Sequence, residues 1–273
     1  MTLPIRNSRV RISQGTVFWR EVGYGTTVLL LHGAWQDSSQ WLPLMAILGT
    51  EFHCLAPDLL GFGESSRLPR QSYSIDQEVA CLHEYLTQLR LLPTVLVADS
   101  LGAWVALRYA LQHPQQVKGV IITAPDGLSH PQLDQAHRQD RWLARPWALR
   151  YWLGQGWARV WRSRDRGWRQ LQQRRRQLRQ HPAACRLLWQ RRAAAVRAEQ
   201  LNGVLPQLDI PLFVLHPEAA SPTAALANNL VQSLVYQAHG VEVPGDELTV
   251  WEVAADRLPA VVRACLSGAI APS

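Results

Sequence analysis

What the chain lacks narrows it first. The four cysteines, Cys54, Cys81, Cys185 and Cys265, lie far apart and form no C-x-x-C pair. That spacing speaks against a zinc site and a disulfide framework, and it fits a reducing, cytosolic setting. Neither a metal nor a cofactor is expected. No apolar run approaches the roughly 18 residues of a membrane span. The stretch Met1 to Val10 carries Arg6 and Arg9 and has no apolar core of signal-peptide length. The chain therefore reads as soluble, or at most peripheral to a membrane. Acids are scarce in one region: from Gly127 to Pro206 arginine and tryptophan crowd the sequence, whereas the flanks are nearly balanced or mildly acidic. The formal charge of the whole chain is +7, and its basic character belongs to that insertion.

What is present reads as alternating strands and helices. A length of 273 residues allows a full core, one α/β domain with an insertion. Strands are predicted at Val10 to Ile12, Val17 to Glu21, Val28 to Leu31, Phe52 to Ala56, Val95 to Ala98, Val120 to Thr123, Pro211 to His216 and Val241 to Val243. Several are continuous apolar runs, as expected of strands covered on both faces. Helices are predicted at Trp41 to Leu48, Ile75 to Leu91, Leu101 to Gln112, Ala224 to Val235 and Leu258 to Leu266. The pattern implies a mostly parallel sheet with helices on both faces and its chemistry at the carboxyl ends of the strands.

Those strand ends carry motifs in a telling order. Leu31-His32-Gly33-Ala34-Trp35 follows the third strand, Asp58 to Ser66 with Gly61-Phe62-Gly63 follows the fourth, and Ala98-Asp99-Ser100-Leu101-Gly102 follows the fifth and runs into a helix. Together they resemble the α/β-hydrolase superfamily, in its branch of small esterases, lipases, C–C hydrolases and haloperoxidase-like enzymes. The resemblance implies that fold, with a helical cap after the sixth strand. It divides the chain into a core at 1–126, an arginine- and tryptophan-rich cap at 127–206, and the rest of the core at 207–273.

In that family the nucleophile stands on a strained strand-to-helix turn flanked by small residues. Ala98 and Gly102 are those small residues if Ser100 is the nucleophile; with Asp99 instead, Val97 and Leu101 would fall there. Ser100 is thus the candidate, against the plainer reading of a helix N-cap serine. The resemblance implies backbone N–H groups of Leu101 and Ala34 as oxyanion donors. It implies a pocket above Ser100 lined by His32, Gly33, Ala34, Trp35, Leu101 and cap tryptophans. His32, Asp58 and the Gly61-Phe62-Gly63 turn read first as loop scaffold.

A serine hydroxyl needs a base, and the family supplies a histidine after the last strand and an acid after the one before. Here the histidine position falls on Glu247 or Asp246, and the acid position on Ala219 or Ala220, near Glu218. His239 stands at the entrance of the last strand, the wrong end of the sheet. Substitutes are His216, at the mouth of the seventh strand, and His130, at the start of the insertion, with Asp126 placed to orient one of them. The absent histidine favours a weak or non-catalytic homologue that binds a ligand or partner. The alternative is a serine hydrolase of carboxylic or lipid-like esters using a rewired base. The pocket ligand would be a small apolar molecule or an ester.

In the insertion, Trp157, Val160, Trp161, Trp168, Leu171 and Leu178 share helical spacing with arginines around them; Trp142, Trp147 and Trp152 precede them, and Leu187, Leu188, Trp189 and Val196 follow. The tryptophans read as a lid packed over the pocket. The arginines, with Arg174, Arg175, Arg176 and Arg179 expected to face solvent, suit an anionic membrane surface or an acidic protein. Nucleic acid is disfavoured, since no recognised binding module accompanies them.

Overall fold

The computed structural model describes residues 3–69, 72–144, 166–247 and 249–267. Eight strands form one sheet: β1 (Arg6–Ile12), β2 (Gly15–Val22), β3 (Thr27–Leu31), β4 (His53–Pro57), β5 (Thr94–Asp99), β6 (Val117–Thr123), β7 (Leu212–Pro217) and β8 (Ala238–Val243). Their spatial order is β1-β2-β4-β3-β5-β6-β7-β8. β1 pairs with β2, and β2 with β4, in antiparallel fashion; from β4 to β8 every pairing is parallel.

Alternation along the central strands separates two apolar layers. Leu29, Leu31, Leu96, Ala98, Val120 and Ile122 belong to one buried cluster, and Val28, Leu30, Val95, Val97 and Ile121 to the other. Successive side chains of a strand point to opposite faces, so uninterrupted apolar runs are what a sheet covered on both sides needs. α2 (Ile75–Gln88), α3 (Ser100–Gln112) and α9 (Pro222–Leu234) contribute to the first layer; α1 (Leu42–Leu48), α10 (Val250–Val253) and α11 (Leu258–Ser267) contribute to the second. Ser74 caps α2, its Oγ accepting from the Gln77 N–H at 3.0 Å. No described helix is long and apolar enough to cross a membrane.

Between β6 and β7 lie five cap helices among the described residues: α4 (Pro131–Ala136), α5 (Arg138–Leu143), α6 (Arg166–Gln180), α7 (Pro182–Trp189) and α8 (Ala193–Ala198). Leu143, Leu178 and Cys185 form a small core, with Trp142, Leu171 and Trp189 against it. Trp147, Trp152, Trp157, Val160 and Trp161 lie outside the described residues. The cap is tied to the core at Glu199, whose carboxylate accepts from the Ile75 N–H at 3.2 Å and pairs with Arg191, and whose carbonyl accepts from Trp104 Nε1 at 2.9 Å.

Expected solvent exposure holds for only half of the four cap arginines. Arg176 and Arg179 are exposed, but Arg174 turns inward to Asp140. Arg175 is 6% exposed and donates to the Leu143 carbonyl at 2.9 Å. Helical geometry is the reason: at about 100° per residue, Arg174, Arg175 and Arg176 fan over about 200° of the helix surface, so they cannot all face the same way. Arg175→Met, which keeps the stem but loses the donors, should lower stability by about 1–3 kcal/mol by orphaning a buried carbonyl. Arg176→Gln with Arg179→Gln should stay within ~0.5 kcal/mol. Thermal melts compare the two, and equal losses would contradict the inward placement of Arg175.

Glu78, buried in the first turn of α2, accepts from the Leu60 N–H at 3.2 Å. Burial pushes its carboxyl from the ordinary 4.5 up to about 8. Between those values the folded state keeps a proton that the unfolded chain has lost, so stability should fall as pH rises from about 4.5 to about 8. Glu78→Gln should remove that part of the slope in denaturation curves taken across this window. An unchanged slope would show that Glu78 is not the titrating group.

Candidate active site

The turn from β5 to α3 is built on strain. Ser100 adopts φ 47°, a left-handed conformation that non-glycine residues avoid. The turn survives because the helix start comes very close to β3: a Cβ on Gly102 would stand 2.3 Å from the Leu31 carbonyl oxygen. Ala98, buried, meets the same need for a small side chain on the other flank. The N–H of Leu101 lies in the first turn of α3, where no earlier carbonyl of the helix can accept it.

Ser100 Oγ donates to Asp126 Oδ2 at 2.7 Å, and the Asp126 N–H donates to the Ser100 carbonyl at 3.1 Å. Asp126 follows β6 through Ala124, itself at φ 45°, whose N–H is held by Asn228 Oδ1 at 2.7 Å. Buried Asn228 also donates to the Leu215 carbonyl at 2.8 Å, so α9 pins the ends of β6 and β7 together. Burial raises the Asp126 carboxyl above its ordinary range, opposed by the Ser100 hydrogen bond and by the charge of His137.

A second carboxylate stands beside Ser100. Asp99 Oδ2 accepts from Gln40 Nε2 at 2.7 Å, while Gln40 Oε1 accepts the Gly33 N–H at 3.0 Å. Gln40 therefore clamps the Gly33-Ala34 loop to the nucleophile turn. A Cβ at position 33 would come 2.8 Å from Asp99 Oδ2 and displace that carboxylate. Burial pushes Asp99 up to about 7; Asp126 and Glu247 add to the rise and the Gln40 hydrogen bond opposes it.

These groups open onto a cavity of about 470 Å³ whose walls include Gly33, Ala34, Trp35, Ser100, Asp126 and Glu247. The cap closes it with Leu133, His137, Leu188 and Trp189, among others. Trp35 meets Trp189 at 5.6 Å and the His181 ring at 5.8 Å between centroids. Trp104 reaches the cavity because Gly127 lies against its ring, where a Cβ would be 2.4 Å away.

Several expected site residues are placed elsewhere. His32 and Leu101 are fully buried and absent from the cavity wall. The His32 Nδ1 pairs with the Gly33 carbonyl at 2.9 Å and its Nε2 accepts from the Leu59 N–H at 3.1 Å, while burial lowers its pKa. His32 is therefore loop scaffold and not a pocket residue. His216 hydrogen-bonds Gln232 at 2.8 Å, and His130 caps α4, its ring nitrogen accepting from the Gln132 N–H at 3.3 Å. Neither lines the cavity, so neither is brought to Ser100. Asp246 accepts from the Thr249 N–H at 2.9 Å, just ahead of α10, and Glu218 is exposed; both are outside the wall. Of the two candidates at the histidine position only Glu247 faces the cavity, anchored by the Ser221 N–H at 2.9 Å, and its carboxyl is held below the ordinary range despite partial desolvation.

Asp126 meets the serine itself rather than orienting a histidine. Gln40 and His137 were not singled out by sequence reasoning, and Asp99 was considered only as a nucleophile. His137 had one available signal: it lies two helical turns beyond His130, so a helical start to the cap would present it on the same side.

Comparison with known proteins gives the same architecture. Residues 26–240 match the family model described as the alpha/beta hydrolase fold. An uncharacterized protein of Mycobacterium tuberculosis is 35% identical over 111 residues, 41% of this chain and 32% of that protein. A monoacylglycerol lipase of Xenopus laevis is 32% identical over 111 residues, 40% of this chain and 33% of the lipase. The matched stretch thus spans about a third of the length of these curated relatives. A thermophilic esterase from Thermogutta terrifontis superposes with a TM-score of 0.69 at 20% identity, covering 96% of this chain and 98% of the esterase. With a parallel sheet, a serine on a strained turn after β5 and a helical insertion after β6, the chain belongs to the α/β-hydrolase fold family.

Proposed function

We propose that the protein is a serine-dependent hydrolase of carboxylic esters in which Asp126 takes the place of the usual histidine base. The observation that carries this is the 2.7 Å hydrogen bond from Ser100 Oγ to Asp126 Oδ2 at the wall of a ligand-sized cavity. A carboxylate of ordinary pKa, about 4, is too weak a base for a serine hydroxyl. Burial makes Asp126 more basic than that. The lipase and esterase among the relatives support the reaction class.

In this reading Ser100 Oγ attacks the acyl carbon as its proton passes to Asp126. The oxyanion is received by the Leu101 and Ala34 N–H groups. Collapse expels the alkoxide, which takes the proton from Asp126 and leaves an acyl ester on Ser100. Water then attacks that ester, giving its proton to Asp126, and the proton returns to Ser100 as the carboxylic acid departs. His137, whose charge favours ionised Asp126, acts as a positioning residue. The rival, a ligand-binding protein without turnover, draws on Glu247 standing where the family keeps its histidine.

A fluorophosphonate probe should label the wild type and not Ser100→Ala, and Asp126→Asn should lower kcat on a short-chain p-nitrophenyl ester by about a hundredfold or more. Absence of both labelling and hydrolysis in the wild type would establish the rival. Because Asp126 acts when ionised and its pKa is raised, kcat/KM should climb with pH to a midpoint above the usual carboxylate value of about 4. His137→Gln should move that midpoint higher still, since a positive neighbour is lost. A midpoint at or below 4 would exclude Asp126 as the base.

A further inference from the structure

The cavity is acidic in a basic protein. Among the described residues its wall holds five carboxylates, Asp99, Asp126, Asp134, Asp140 and Glu247, against two arginines, Arg141 and Arg174. Both arginines are already used: Arg141 pairs with Asp134 and Arg174 with Asp140. Asp99, Asp126 and Glu247 are left with no arginine or lysine partner among the described residues, within a chain of formal charge +7. The other titratable group on the wall is His137.

Two further features mark this as more than a solvated acidic patch. Asp99 and Asp126 each use only Oδ2 in a described hydrogen bond, and both are half-buried on the wall of a cavity that is partly open to solvent. The same wall carries three tryptophans, Trp35, Trp104 and Trp189; the Arg174 guanidinium already lies over Trp35, 5.5 Å from its ring centroid, and Trp104 is buried. A cation gains from the electron-rich face of such a ring, and gains more where water is excluded. Carboxylates that repel one another beside aromatic rings make a site that a diffuse organic cation would complete. The volume of about 470 Å³ suits a small molecule.

We propose that this pocket selects small esters carrying an aliphatic ammonium group, which the carboxylates of Asp99 and Glu247 hold against the tryptophans while Asp126 stays engaged with Ser100. The proposal rests on the hydrolase reading for the word ester, but not for the cation. It also fixes a pH dependence. The groups facing Asp99 are Asp126 and Glu247, with His137 and the Asp134–Arg141 and Asp140–Arg174 pairs on the same wall. Binding a cation favours ionised Asp99, so the ligand should displace its proton. Affinity should then rise as pH passes through about 7 and level off above it.

The test uses full-length Ser100→Ala protein, which cannot turn over, with choline and its uncharged isostere 3,3-dimethyl-1-butanol as probes. Tryptophan fluorescence and calorimetry should show choline binding at least ~10-fold more tightly at pH 8, with a smaller margin at pH 6 and protons released on binding. Glu247→Gln and Asp99→Asn, checked for unchanged melting, should each cut the margin severalfold without weakening the isostere. Equal or weaker binding of choline would overturn the proposal, even if the wild type hydrolyses neutral esters. Choline preference in a wild type that neither labels nor hydrolyses would uphold the cation site and defeat the hydrolase reading.

Discussion

The closeness of α3 to β3 is the constraint on which the rest of the site depends. With no side chain at Gly102, the helix start can lie against the Leu31 and His32 carbonyls, and that contact holds Ser100 in its left-handed conformation. A serine on an ordinary helix start would have its hydroxyl free to cap the helix. Here it is lifted toward Asp126 and the cavity. The strain, on the order of 1–3 kcal/mol for a residue of this kind, is offset by a core in which the central strands and α3 are almost wholly buried.

Electrostatics follow from where that turn sits. The carboxyl ends of parallel strands gather the loops carrying Asp99, Asp126 and Glu247 around one cavity. Burial raises both Asp99 and Asp126, and repulsion by Asp126 and Glu247 adds to the rise at Asp99 alone. Histidine in other members of the fold answers the serine's need for a base by its intrinsic pKa. In the reaction proposed for this chain a carboxylate would meet that need through its surroundings, since burial raises Asp126 above its ordinary range.

The cap shows how composition misleads about surface. A segment crowded with arginine suggests a charged exterior, yet Arg174, Arg175 and Arg191 are spent on internal partners. They join short helices whose own apolar core is small. Arg138, Arg169, Arg176, Arg179, Arg192 and Arg197 are exposed among the described cap residues, so the segment divides its charge between internal pairs and the surface.

The sequence by itself determined the sheet, because apolar runs such as Val28 to Leu31 and Val95 to Ala98 admit no other burial than between two layers of helices. It underestimated β1, where exposed polar residues from Arg6 to Arg9 hide an edge strand paired to β2. It also determined the nucleophile turn, since only Ser100 has small residues on both flanks. Tertiary structure alone decided which residues share the cavity with that serine, and that Asp126 is the one that hydrogen-bonds it. Asp126, Gln40, His137 and Glu247 come from four separate loops and helices, and their approach depends on strand order and cap placement, which no local spacing encodes. His216 and His130 were as plausible by position, yet the pleat turns one toward Gln232 and a helix start claims the other.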